Sequence, residues 1–145
     1  MIKRFVEEPG SAAVERLVRT TGAPIASATI AYAETYSGLA RRHRDGDVSA
    51  AAFAHACEQF ELDWSGYLKI HLNEDVLGMA RTVIKRHALR GFDGIHLASA
   101  LALQAGWGET VLVAGADQRL LRAAAAEGLA TLNVQTGEGT PSPRR

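Results

Sequence analysis

The chain has 145 residues, 16 Lys and Arg against 16 Asp and Glu, and a hydrophobic share of 47%. That length suits one domain with a proper core, and the composition excludes a disordered chain, a fibrous chain and a strongly basic nucleic-acid binder. One cysteine, Cys57, excludes an internal disulfide, no apolar run reaches membrane-spanning length, and no signal-peptide layout opens the chain, so a reducing, cytoplasmic setting without a membrane is expected.

In chain order, Ser11 is expected to cap a helix over residues 11–19 that ends near Gly22. Residues 24–27 read as a short strand and 29–44 as a helix stopped by Asp45-Gly46-Asp47. Ser49 opens another helix through Phe60, with Phe53, Ala56, Cys57 and Phe60 on one face. Residues 67–72 alternate like a strand, and Asn73 caps a helix to His87. Residues 92–105, rich in Ala, Leu and Ser, predict a helix buried on most sides. Residues 110–114 are a compact apolar strand, expected to be covered on both faces. Asp117 begins a helix ended by Gly128, a good glycine for the left-handed position, and 129–134 is the last strand. Residues 135–145 lack apolar periodicity and are expected to be a disordered tail, leaving 1–134 as a single domain. Alternating strands and helices predict an α/β fold, a mainly parallel sheet between helices, with its site at the C-terminal strand ends.

Of the 16 cationic residues 13 are arginine, bunched as Arg41-Arg42-His43-Arg44 and as Lys85-Arg86-His87 with Arg90. Cations at helix ends complement the dipole, whereas the guanidinium fork also suits phosphate; the helix-end reading is the simpler one.

Three carboxylates stand out. Asp117 follows the strand TVLVA, where an aspartate also serves as a helix cap. Asp93, in LRGFDGIHLASALAL, lies in the first turn of the apolar helix and needs a partner such as His96 or a metal. Glu34, in ASATIAYAETYSGLARRHR, has no cation three or four residues away and sits among small and apolar neighbours. Acids converging from separate helices, without cysteine or paired histidine ligands, form an oxygen-rich site that prefers Mg²⁺ or Mn²⁺. Phosphoryl-ester cleavage is the chemistry that most needs such a site. No nucleophile elbow, phosphate loop, dinucleotide fingerprint or zinc spacing competes. Cys57 on its apolar face reads as inert packing.

LRGFDGIHLASALAL, followed by a strand and GADQRLLRAAAAEGL, resembles the PIN-domain ribonucleases of the VapC toxin type. IAYAETYSGL fits the second acidic motif of that family, and the resemblance runs from residue 2 to about 133. It implies a three-layer α/β/α sandwich, a metal-dependent endoribonuclease, a small cognate antitoxin and a homodimer. It also implies that Glu34, Asp93 and Asp117 fall on catalytic, metal-binding positions. Gly115 departs from the serine or threonine that relatives often carry two residues before the last acid. The opening IKRFVEEPGS is similar to the segment just after the first acidic motif, so the first strand and its aspartate are missing here and are expected to be encoded upstream of Met1. Two other readings stay open: a non-catalytic PIN-like module that binds antitoxin or RNA, and a small metal-dependent phosphatase.

Overall fold

The computed structural model describes residues 2–20 and 22–141, which fall into two compact units, Met1–Lys69 and Ile70–Arg145. Each is built around its own helix pair. The element order is mixed α/β with a parallel strand pair, the class expected of a PIN-like chain.

The first unit opens with a 3-10 turn, Ile2–Arg4, then α1 (Ser11–Thr20), β1 (Ala26–Ala28), α2 (Ile30–Arg44) and α3 (Ala50–Gly66). Ser11 is the first helical residue rather than the cap. Its hydroxyl accepts from the Glu8 N–H at 3.0 Å and donates to the Val6 carbonyl at 3.2 Å, tying down the preceding turn. Ser49 does cap α3, accepting from the Ala52 N–H at 3.2 Å. That helix runs past Phe60 to Gly66 because nothing breaks it and because Trp64, one turn on, extends its aromatic face. Phe60, fully buried, has the rings of Phe5, Tyr32, Tyr36 and Trp64 within 5.7 Å between centroids. Arg4 forks onto Asp63, with Nη2 at 2.9 Å from Oδ1 and a second contact from Nε to Oδ2. Strand β2 (Leu68–Ile70) pairs with β1 and straddles the boundary between the units.

In the second unit, α4 (Glu74–His87) starts at the cap Asn73, whose Oδ1 accepts from the Val76 N–H at 2.9 Å. It packs against α5 (Gly91–Trp107). The two helices approach closely at Gly94, where a Cβ would stand 2.2 Å from Ile84 Cγ1. Next come β3 (Leu112–Gly115), α6 (Gln118–Ala126) and β4 (Ala130–Asn133); β3 and β4 pair in parallel, with Leu112 opposite Ala130 and Gly115 opposite Asn133. Helix α6 is the crossover that a parallel pair requires. Val83, Leu89, Leu97, Ala123, Ala124 and Leu129 form the core, with Val76, Ala80 and Ala98 as a smaller cluster between α4 and α5.

Two expectations are revised here. Strand β3 is not covered on both faces: it is an edge strand in the order β3-β4-β5, Val113 packs on the core, and Leu112 on the opposite face is 47% exposed. Within the segment expected to lack order, β5 (Gly139–Thr140) pairs antiparallel with β4. The turn before it is held by Asn133, whose Oδ1 accepts from the Gln135 N–H at 2.9 Å while its own N–H reaches the Glu138 carbonyl at 2.7 Å. Residues 142–145 lie outside the described residues.

Candidate active site

Two of the three acids meet in the second unit. Helix α4 ends in Ala88, in the left-handed region at φ 50°, and Leu89 is then sunk into the core. Arg90, in extended backbone, caps α5, and this places Asp93 in the first turn of that helix, half-buried. From the other side, β3 ends at Gly115 and Asp117 caps α6. Its Oδ1 accepts from the backbone N–H groups of Arg119 and Leu120 at 2.8 and 3.0 Å. Asp93 and Asp117 line one open cleft of about 360 Å³, together with Arg90, Ala116, Gln118, Arg119 and Arg122. Helices α5 and α6 therefore both open at the cleft, with their positive dipole ends beside the carboxylates.

Glu34 lies on α2 in the first unit, half-buried, next to the buried Thr35, whose hydroxyl donates to the Ala31 carbonyl at 2.7 Å. The structure thus brings Asp93 and Asp117 to one cleft of the second unit, and Glu34 belongs to the first. Among the described residues, no group of three or more His, Cys, Asp or Glu is arranged to hold a metal ion. The two acids in the cleft still suit a hard divalent cation. Both are oxygen donors, and Mg²⁺ usually keeps several waters and takes one or two carboxylates plus substrate phosphate. Asp117 commits only Oδ1 to its cap, so Oδ2 has no hydrogen bond among the described residues.

No protein-family model matches the chain. It is similar to Ribonuclease VapC45 of Mycobacterium tuberculosis (strain CDC 1551 / Oshkosh), 35% identical over 130 residues that cover 81% of this chain and 88% of the relative. Ribonuclease VapC49 of Mycobacterium tuberculosis (strain ATCC 25618 / H37Rv) matches with the same identity and coverage. The chain belongs to the VapC ribonuclease family.

Within this VapC chain the clustered cations are sorted by their partners. Arg42 contacts Glu8 and Asp47, and Arg44 contacts Asp45. The His43 ring stacks on Phe53 at 5.1 Å. Arg86 and His87 each reach Glu127 Oε1 at 2.7 Å. Arg42, Arg44, Arg86 and His87 serve as ion-paired helix ends, while Arg90 from the second cluster reaches the cleft. Sequence reasoning missed Arg119 and Arg122. The available signal was their three-residue spacing in QRLLR directly after the capping acid, which puts both on one side of α6.

The hydrogen bond from His87, joined by Arg86, holds the Glu127 carboxyl below its ordinary range. Burial pushes the Cys57 thiol up, as suits a packing residue. At Gly115, where a hydroxyl side chain was noted as missing, a Cβ would lie 3.9 Å from Leu121 Cδ2, an ordinary contact. A Cβ at this strand end meets no close contact.

Proposed function

We propose that this chain is a metal-dependent endoribonuclease, the toxin of a toxin–antitoxin pair, that hydrolyses RNA phosphodiester bonds with Glu34, Asp93 and Asp117 as its acids. The observation that carries the reading is the convergence of Asp93 and Asp117 on one cleft at the openings of α5 and α6, in a chain similar to two proteins named as VapC ribonucleases. The expected ion is Mg²⁺ or Mn²⁺, held by Asp93 and Asp117; when bound, it supplies Lewis acidity to phosphoryl transfer. Asp117 is pre-set for that role because two backbone amides fix Oδ1 and leave Oδ2 to a ligand. Asp93 is placed by the close packing of α4 on α5 at Gly94. Glu34 enters the proposal through its motif, IAYAETYSGL. The partners are the RNA substrate, a small antitoxin and a second copy of the chain, and the setting is the cytoplasm.

The test is cleavage of a 5′-labelled structured RNA with Mg²⁺, with Mn²⁺ and with EDTA. Cutting should require the ion and should be lost in Asp93→Asn and Glu34→Gln. Undiminished cutting in EDTA, or by Asp93→Asn, would refute the reading.

A further inference from the structure

The cleft of Asp93 and Asp117 is also lined by three arginines, and their commitments differ. Arg119 donates from Nη1 to the Ala88 carbonyl at 3.4 Å, joining α6 to the turn that opens α5. No ion pair ties Arg90 or Arg122 among the described residues, and both are exposed. This sets them apart from Arg4, Arg42 and Arg86, each of which rests on a carboxylate. Among the described residues that line the cleft, three guanidinium charges stand against two carboxylates, and the helix openings add positive field. A concave, arginine-lined surface with two uncommitted guanidinium forks is matched by phosphate oxygens, which take such forks two bonds at a time.

Resting on the ribonuclease reading of this cleft, we infer that Arg90 and Arg122 grip the RNA phosphate backbone next to the carboxylates. Arg119 is a positioning residue that holds the α4–α5 turn. The grip does not require metal, and it is indifferent to base sequence because phosphates carry none.

Fluorescence anisotropy of a labelled single-stranded RNA, titrated in EDTA over a salt series, reads the grip directly. The wild-type chain should bind. Arg90→Ala and Arg122→Ala should each weaken binding about five- to tenfold and lower the slope of log K against log salt by about 0.7. Arg122→Lys should keep most of the slope, and Arg86→Ala, already ion-paired elsewhere, should leave it unchanged. Arg90→Gln with Arg122→Gln is the second variant, paired with a urea melt, should the alanine forms fold poorly. An unchanged slope in the folded double variant, or no binding by wild type without metal, overturns the assignment. A wild type that binds with this slope but does not cut with Mg²⁺ overturns the ribonuclease reading and supports this one. A chain that cuts while the double variant keeps its slope overturns the arginine assignment alone.

Discussion

Gly94→Ala tests the contact that sets Asp93. A Cβ at this position would lie 2.2 Å from Ile84 Cγ1 and 2.7 Å from Cδ1, whereas carbon atoms rest about 3.5–4.0 Å apart. Relief therefore requires a shift of more than an ångström between α4 and α5, and Ile84 is β-branched, with restricted freedom to swing aside. Overpacking of this kind costs about 1–3 kcal/mol, and a clash this close belongs at the upper end. Against it stands the helix propensity of alanine over glycine, worth up to about 1 kcal/mol. The net expectation is a loss of about 2 kcal/mol. Gly78→Ala in α4 isolates the opposing contribution, because nothing lies within 4 Å of its Cβ; it should gain about 0.5–1 kcal/mol. Urea melts followed by circular dichroism measure both. Gly94→Ala combined with Ile84→Ala, which removes the clashing atoms, should cost less than the two single changes added together. Equal gains from Gly94→Ala and Gly78→Ala, or strict additivity in the double variant, would refute the packing argument.

Asp117→Asn should keep the capping oxygen and hold stability within about 0.5 kcal/mol, whereas Asp117→Ala should lose about 1 kcal/mol; both should lower RNA cleavage about a hundredfold or more. Melts and cleavage rates on the same preparations separate the two roles. Glu127 has its folded pKa depressed by His87 and Arg86, so its contribution to stability is present above the ordinary glutamate value of about 4.3 and lost as the pH falls through the lower folded value. Urea midpoints from pH 6 down to 3 should therefore fall less steeply in Glu127→Gln than in wild type, and parallel curves would contradict the ion-pair assignment. Gly115→Ser should be accommodated with a change in stability within about 0.5 kcal/mol, given the 3.9 Å spacing to Leu121. A large drop in its melting midpoint would show that the space is not there.

Capping chemistry was legible residue by residue. Asn73, Ser49 and Asp117 each accept a backbone N–H from the turn they begin, and Gly128 takes the positive φ of 85° just past α6. These are local decisions, made within a few residues by side-chain oxygens and by the freedom of glycine. Ser11 shows the limit of the local signal: the same hydroxyl that suits a cap is recruited backward by Glu8 and Val6. The end of α3 was misjudged for a related reason. Whether an apolar stripe continues past Phe60 depends on the rings it meets, and those come from α2 and from the opening turn.

The sequence by itself determined the α/β class, the order of elements from α1 to β4, the three acids as candidates and the resemblance to VapC ribonucleases, because these rest on periodicity, caps and motifs within short windows. Only the tertiary structure decided which charges share a cleft. It brought Arg119 and Arg122 beside Asp93 and Asp117, withdrew Arg86 and His87 to Glu127, and left one face of β3 open. The physical reason is that a charged side chain's role depends on the nearest opposite charge in space. For this chain that neighbour often lies dozens of residues away, as Glu127 does from Arg86.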